Sequence, residues 1–333
     1  MKIAAKLFVR LWFLCFALIP GVASAALLQS YEALYVFGDS LSDTGNDFIA
    51  TTASGLSPAV PPSVSPNRSY YQGRFSNGPI AVEYLWRLLS RNNAAAVVPS
   101  LAGPPLDGKG AIAFAFGGST SGVSSPTPGG FLVPGLIGQV SLFADAAKLK
   151  TPRQRALYTV WTGSNDYALQ IASSPQSVIA NITFAIESLY ALGARDFLIP
   201  NLPDLGLTPF AVSKGLGPQL TQLTRLHNSL LKQAIEGLAA KYPAARFMQV
   251  NVFALGQVLV ASGLVLTSPP ALDYLKPGIG ASSCLFTNPA TCPDVNLAAP
   301  LPPFLFWDIM HPTTQVHSVI GLAMLAATVV KGR

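Results

Sequence analysis

The sequence predicts a doubly wound α/β domain in which helices cover both faces of a mainly parallel, five-stranded sheet. Short apolar runs alternate with longer helical patterns along the chain, and this alternation is typical of such sheets. Each apolar run is almost continuous, as expected of a strand that is buried on both faces. With 333 residues, half of them hydrophobic, the chain can bury one large core. We therefore expect one large domain rather than two small ones.

Five segments are predicted as strands and five as helices. The strands are Leu34 to Phe37, Ala111 to Phe116, Ala156 to Trp161, Asp196 to Ile199 and Arg246 to Val250. The helices are Pro79 to Ser90, Gln139 to Leu149, Val178 to Leu192, Gln219 to Lys241 and Thr313 to Val330. Three segments rich in Pro, Ser and Gly are predicted as long loops: Thr51 to Tyr71, Ser119 to Gly138 and Ser268 to Pro303. Loops of this length often bind or gate a substrate, although any one of them is as readily a variable surface insertion.

The first 25 residues have the pattern of a signal peptide. Three basic residues precede an apolar run from Leu11 to Ile19, and Ala23 to Ala25 form a small-residue cleavage site. The run is shorter than the roughly 20 residues that cross a bilayer. A lipid anchor on Cys15 is disfavoured because this residue lies inside the apolar run. We expect a mature chain that begins near Ala26, forms a single domain over residues 26–333, and is exported to the periplasm or the medium.

The charge balance of the mature chain argues against nucleic acid as a partner. Removing the three basic residues of the signal from the 21 in the chain leaves 18 against 15 acidic residues, and the formal net charge falls from +6 to +3. The basic residues are scattered and form no recognisable nucleic-acid module. Only 11% of residues are charged, which is consistent with an apolar surface for lipid-like substrates and transient contact with a membrane surface.

Two cysteines remain after the signal, Cys284 and Cys292, and they lie close together in the chain. An even pair in a protein bound for an oxidising compartment predicts a disulfide. The bond would close a short loop rich in Pro and Asn and would stabilise the fold by roughly 2–3 kcal/mol. The alternative is a metal site, but no His is near the pair.

A serine follows the first predicted strand in the segment Phe37-Gly38-Asp39-Ser40-Leu41-Ser42-Asp43-Thr44-Gly45-Asn46. This position lies at the carboxyl edge of the sheet, where open α/β sheets bind their ligands. Gly38 permits a tight turn, so Ser40 is placed to be an exposed nucleophile. The alternative is that Ser40 only caps the next helix.

The segment Trp307-Asp308-Ile309-Met310-His311-Pro312 supplies the expected base. Of the three His in the chain, only His311 has a carboxylate three residues upstream, which allows Asp308 and the imidazole to share one face of a turn. Pro312 suits the first turn of the last helix, which would place His311 at the helix entrance. His227 and His317 lie within helical patterns and are expected to be packed or solvated instead.

Two more turns end predicted strands at the same edge. They are Phe116-Gly117-Gly118-Ser119-Thr120 and Trp161-Thr162-Gly163-Ser164-Asn165-Asp166. A glycine amide and an asparagine side chain are suitable donors for the oxyanion of an acyl transfer. Taken singly, each is also ordinary turn chemistry.

Together these segments resemble the GDSL or SGNH family of lipases and esterases. The longer form of the serine segment, with Gly73-Arg74-Phe75-Ser76-Asn77-Gly78-Pro79 downstream, is similar to the branch of plant GDSL lipases and bacterial secreted phospholipases. The resemblance implies a flavodoxin-like three-layer α/β/α sandwich, the SGNH hydrolase fold. It implies Ser40, Asp308 and His311 as catalytic residues, and no cofactor or metal.

The same resemblance implies an oxyanion hole made of the Ser40 amide, Gly118 and Asn165, with Gly117 as the alternative to Gly118. We expect a secreted esterase or lipase that acts on small-molecule or lipid esters. Three rival hypotheses remain open: a carbohydrate or cell-wall deacetylase with the same residues, a non-catalytic binding protein on the same scaffold, and a membrane-acting toxin. The motifs specify neither the acyl chain nor the alcohol.

Overall fold

The computed structural model describes residues 27–28, 30–104, 106–127, 130–147, 155–168 and 174–330. In this part of the chain the strands are β1 Leu27–Leu28, β2 Ala33–Gly38, β3 Val97–Pro99, β4 Gly110–Ala113, β5 Ser124–Pro126, β6 Leu132–Pro134, β7 Ala156–Trp161, β8 Asp196–Pro200, β9 Arg246–Val250 and β10 Val329–Val330. The α-helices are α1 Asn46–Ala53, α2 Ala81–Ser90, α3 Leu136–Ala147, α4 Ser164–Ala168, α5 Pro175–Ala191, α6 Pro209–Ser213, α7 Gly217–Lys241, α8 Val252–Ala261, α9 Ala271–Leu275, α10 Cys284–Thr287 and α11 Thr314–Thr328. The predicted signal peptide lies outside the described residues.

The central sheet has six parallel strands in the order β3-β4-β2-β7-β8-β9. Without the edge strand β3, this is the flavodoxin-like order, in which the first strand of the sheet, β2, lies between the next two, β4 and β7. The predicted α/β class is therefore confirmed. The chain reverses its direction of winding at β2, and β4 and β7 lie on either side of it. Such a switch point opens a crevice at the carboxyl ends of the strands.

Helices cover both faces of this sheet and make it the middle of three layers. Along β2, Tyr35 and Phe37 belong to a core cluster shared with α3, α5 and α7, while Leu34 and Val36 belong to a second cluster shared with α2, α8 and α11. Successive side chains of a strand point to opposite faces, so one apolar strand contributes to both cores. This double burial explains the continuous apolar runs in the sequence.

The predicted sheet has five strands and the observed central sheet has six, because β3 was missed. This strand has only three residues, ends in Pro99 and pairs on one side with β4. Pro is tolerated at such an edge because no ladder hydrogen bond is needed on the open side. The predicted strand from Ala111 to Phe116 is also too long, since β4 ends at Ala113. One more hydrogen bond, from Phe114 N to Val36 O, joins the chain to β2 beyond the end of β4.

The predicted loops contain short elements of their own. Residues 119–138 include the antiparallel pair of β5 and β6, and residues 268–303 include α9 and α10. The loop of residues 51–71 packs against the loop of residues 268–303 through a separate apolar cluster. This cluster includes Tyr70, Leu272 and Trp307. This cluster fixes both loops beside the carboxyl edge of the sheet.

The predicted disulfide is present between Cys284 and Cys292, eight positions apart. Their Cα atoms are 5.0 Å apart, within the usual range for a disulfide. The bond joins α10 to the 3-10 turn Pro289–Thr291. Within the described residues, no helix is both long and apolar enough to span a bilayer.

Candidate active site

Ser40 lies on the turn that leaves β2, at the switch point of the sheet. Glycine is needed at Gly38 because a Cβ atom there would be 2.3 Å from the carbonyl oxygen of Trp161 on the neighbouring strand. The helix that follows begins at Asn46 with Gly45 as its N-cap, so Ser40 is not a helix cap. The Ser40 residue is 8% exposed and lines the cavity described below.

The side chain of Gln139 holds this turn in place through hydrogen bonds. The sequence analysis did not identify Gln139 as a site residue. Its Oε1 accepts from Gly38 N at 2.9 Å, and its Nε2 donates to Gly38 O at 2.8 Å and to Ser119 Oγ at 2.7 Å. The side chain is fully buried, where an unpaired amide would be costly. One residue of α3 therefore ties the serine turn to the glycine turn after β4. A polar residue on the buried face of an apolar helix was the only signal for it.

The structure brings Ser40, His311 and Asp308 together in hydrogen-bonding order. Ser40 Oγ is 2.8 Å from His311 Nε2, and His311 Nδ1 is 2.8 Å from Asp308 Oδ2. With Nδ1–H donating to the carboxylate, Nε2 is left to accept from the serine hydroxyl. The orientation of the imidazole is therefore determined from both sides, as a base for a serine nucleophile requires.

The Asp308 carboxylate is fully buried and has four hydrogen bonds. Oδ1 accepts from Met310 N and His311 N, each at 2.7 Å. Oδ2 accepts from the Tyr70 hydroxyl at 2.7 Å as well as from the imidazole. Burial and the neighbouring Asp308 charge raise the pKa of Tyr70 well above its usual value, so the phenol stays protonated and donates. Tyr70 is a second partner of the site that the sequence did not reveal.

Helix α11 begins at Thr314, after an N-cap at Thr313. His311 therefore precedes the helix, and the prediction that Pro312 occupies its first turn was wrong. His311 N donates to Asp308 and Trp307 N donates to His311 O at 2.7 Å, so a tight turn holds the imidazole instead. The rings of Phe75 and Phe286 lie against the imidazole at centroid distances of 5.2 and 5.8 Å.

The glycine turn after β4 and α4 after β7 reach the same crevice. Gly117 N donates to Asp43 Oδ2 at 3.1 Å, so this amide already has a partner, which favours Gly118 as the oxyanion donor. Gly118 has a φ of +74°, a conformation that glycine adopts readily. Asn165 Nδ2 donates to Ser119 O at 2.9 Å, which holds the amide beside the glycine turn and leaves its second N–H for a ligand. Gly118, Asn165 and Ser40 all line the cavity.

Three buried carboxyl groups, Asp39, Asp43 and Asp47, lie in the serine segment or directly after it. Burial raises the pKa of Asp39 to about 7 and that of Asp43 to about 6, even though backbone amides donate to both. Burial, followed by the charge of Asp43, also raises the pKa of Asp47 well above its usual value. Asp43 Oδ1 accepts from the amides of Gly45 and Asn46, each at 2.7 Å. These bonds shape the loop that carries Ser40.

The other two histidines are packed in the interior, in agreement with the sequence. The Tyr167 hydroxyl is 2.8 Å from Nδ1 of His227, and burial lowers the pKa of this imidazole to about 4. His317 Nδ1 accepts from Ala81 N at 3.2 Å, and burial lowers its pKa to about 3. No group of three or more His, Cys, Asp or Glu that could hold a metal ion occurs in the described part of the chain.

A cavity of about 550 Å³ opens above Ser40 and His311. Its size lies within the range of about 300–1,000 Å³ that is usual for small-molecule sites. Most of its lining is aliphatic or aromatic, with contributions from the loop after β8, from α8 and from α11. The polar lining includes Ser40, Asn165 and His311, and also Asp204 and Thr208. A reactive group bound near Ser40 thus has an apolar extension available to it.

The profile of the GDSL-like Lipase/Acylhydrolase family matches residues 34–324. The chain belongs to this family. A GDSL esterase/lipase of Arabidopsis thaliana is 26% identical over 343 aligned positions, which cover 92% of the chain and 90% of the plant protein. The secreted effector protein SseJ of Salmonella typhimurium is 26% identical over 298 positions, which cover 89% of the chain and 64% of SseJ. The GDSL resemblance is confirmed, and the chain is a carboxylic ester hydrolase.

Among solved structures, the acetylxylan esterase Axe2 of Geobacillus stearothermophilus superposes on the chain with a TM-score of 0.46 and 15% identity. The superposition covers 91% of the chain and 97% of Axe2.

Proposed function

We propose that the chain is a secreted serine esterase or lipase that hydrolyses carboxylic esters through an acyl-enzyme on Ser40. The observation that carries this proposal is the unbroken series of hydrogen bonds from Ser40 through His311 to Asp308, of which Ser40 and His311 line a mainly apolar cavity. Family membership gives the reaction class, and this geometry supports the assignment of roles to residues.

In the proposed reaction, Ser40 Oγ attacks the acyl carbon while its proton passes to His311 Nε2. Asp308 keeps the imidazole in the correct tautomer and stabilises the imidazolium that forms. The negative charge on the carbonyl oxygen is met by the amides of Ser40 and Gly118 and by the Asn165 side chain. The imidazolium then protonates the departing alcohol. A water molecule, deprotonated by His311, releases the acid and restores the serine.

The test is hydrolysis of p-nitrophenyl esters, from acetate to palmitate, by protein that begins at Ala26. Ser40→Ala should lower kcat by several orders of magnitude, up to about 10⁶-fold. Ser42→Ala is the matched control, because this serine is two residues away and fully buried. Ester hydrolysis that survives in Ser40→Ala would disprove the nucleophile. Cleavage of acetylated sugars, without cleavage of esters longer than butyrate, would instead favour a carbohydrate deacetylase.

Export of the protein is a further part of the proposal. The signal-like first 25 residues support it, as does the disulfide between Cys284 and Cys292, which is typical of an oxidising compartment. The name of SseJ describes that relative as secreted. Lipid contact is supported by Leu56, which lines the cavity while 43% exposed. Amino-terminal sequencing of protein recovered outside the cytoplasm should find Ala26, and recovery only of uncleaved cytoplasmic protein would contradict export.

A further inference from the structure

One part of the cavity lies between α8 and α11, and we call it the acyl arm. It is formed by Val252, Leu255, Gly256 and Leu259 of α8 and by Val316 and Ile320 of α11. The α8 residues follow the spacing i, i+3, i+4, i+7, and those of α11 the spacing i, i+4, so each set occupies one face of its helix. Four of the five side chains are at most 7% exposed. The arm is therefore lined mainly by buried side chains, while Leu255 and Gly256 are partly exposed.

Gly256 is the one position of the α8 face without a side chain. Apart from its chain neighbours and the backbone of its own helix, no described atom lies within 4 Å of the place where its Cβ atom would be. By contrast, Gly321 of α11 is required by close packing, since a Cβ atom there would be 2.7 Å from Tyr84 Cβ. Glycine within a helix is unfavourable relative to alanine, and neither a turn nor a tight contact demands it at position 256. What Gly256 does provide is space in the acyl arm.

The lining of the cavity suits an uncharged aliphatic group. Among the described residues that line it, none is Lys or Arg, so a phosphate or a free carboxylate finds no cation there. Asp204, near α8, is already engaged, because Gln257 Nε2 donates to its Oδ2 and Thr221 Oγ1 to its Oδ1, each at 2.7 Å. Sugar hydroxyls would find few hydrogen-bond partners in this cavity, so their burial would be unfavourable. Methylene groups would be removed from water at every carbon, which is favourable.

We propose that the acyl chain of the substrate extends from Ser40 into the acyl arm, and that Gly256 sets the longest chain the enzyme accepts. This inference rests on the proposed acyl-enzyme at Ser40 and deepens it to a substrate class: esters of medium to long, unbranched fatty acids with an uncharged alcohol. Each methylene that enters the arm should raise kcat/KM about fourfold, until the chain reaches the end of the space.

The experiment compares Gly256→Ala and Gly256→Leu with the wild-type enzyme on p-nitrophenyl acetate, butyrate, octanoate and dodecanoate. Gly237→Leu is the matched control. Gly237 is also a helical glycine whose Cβ position has no described atom within 4 Å outside its chain neighbours and its own helix backbone, yet it lies exposed on α7, away from the cavity. Gly256→Leu should leave kcat/KM for acetate within about twofold. It should lower kcat/KM for dodecanoate by about tenfold or more, equivalent to the loss of two buried methylenes. Gly256→Ala should fall between, and Gly237→Leu should match the wild type.

Two outcomes would overturn the acyl arm. One is a ratio of dodecanoate to acetate activity that stays unchanged in folded Gly256→Leu, or in Gly256→Ala if the leucine variant does not fold. The other is a wild-type enzyme that shows no preference for octanoate over acetate. Ser40→Ala, assayed alongside, separates this failure from that of the proposed function. Activity lost in Ser40→Ala but insensitive to Gly256 refutes only the acyl arm, whereas activity retained in Ser40→Ala refutes the acyl-enzyme itself.

Discussion

Tyr70→Phe tests how the buried Asp308 carboxylate is held in place. The change removes only the hydroxyl that donates to Asp308 Oδ2 at 2.7 Å and keeps the ring, which lies 6.5 Å from the ring of Phe75. Asp308 retains three hydrogen bonds, two from backbone amides and one from His311. A hydrogen bond to a charged group contributes about 1.5–3 kcal/mol. We expect the free energy of unfolding to fall by about that amount.

The effect on catalysis follows from the same lost donor. With one hydrogen bond fewer, the Asp308 carboxylate is held less firmly, and so is the imidazole that it orients. Looser positioning of the imidazole should lower kcat about tenfold, while KM changes little because Tyr70 does not line the cavity.

The assay combines thermal unfolding with kcat and KM measured for one ester. Tyr84→Phe is the control, because its hydroxyl bonds to Thr314 at 2.8 Å, outside the hydrogen bonds of the candidate site. The control should lose some stability and keep the kcat of the wild type. A normal kcat in Tyr70→Phe would show that the tyrosine only fills space and that its hydrogen bond is not needed to position Asp308.

Three further predictions concern other parts of the site. Asn165→Ala should lower kcat about 10²–10³-fold with little change in KM, and a loss below tenfold in single-turnover assays would remove Asn165 from the oxyanion hole. Burial raises the pKa of Asp39 to about 7, so its contribution to stability is present below about pH 4 and is lost as the pH rises through 7. Asp39→Asn should therefore gain melting temperature relative to the wild type between pH 4 and 8, and a constant difference across that range would contradict the assignment. Replacing both Cys284 and Cys292 with Ala should lower the free energy of unfolding by about 2–3 kcal/mol. It should also lower kcat, because Phe286 of α10 stacks on the imidazole of His311. An unchanged kcat at a temperature where the variant is folded would show that α10 keeps its place without the disulfide.

The elements that could be predicted are those whose environment is uniform along their length. β2 and β7 are buried at every position and almost entirely apolar, with Thr159 as the exception, and their predicted ends differ from the observed ones by at most one residue. β3 has three residues, of which only Val97 is buried, so the sequence carries almost no signal for it. Helix α8 is apolar on nearly all sides, so its faces hardly differ in polarity. A helix is recognised in a sequence by such a difference, repeated with the helical period.

The candidate site divides in the same way between local and distant determinants. Asp308 and His311 are three residues apart, so their hydrogen bond is a property of one turn and can be expected from sequence. Tyr70 is 238 residues away from Asp308, and Gln139 is 101 residues away from Gly38. Neither has a neighbour in the sequence that marks its role, because only the packing of the loops and of α3 against the sheet edge brings it there.

The cavity shows why the motifs carry no information about the acyl chain. The nucleophile, the base and the oxyanion candidates are all fixed by turns at the edge of the sheet, whereas the acyl arm is formed by α8 and α11, which contribute none of these groups. In the sequence, Gly256 is an isolated glycine in an apolar segment and indicates only a weak helix. In the fold, the same glycine leaves space that larger residues of α8 would fill. Chain-length preference can therefore change through α8 while the chemistry at Ser40 stays constant, and a series of substitutions at position 256 should alter the activity on long esters without altering that on acetate.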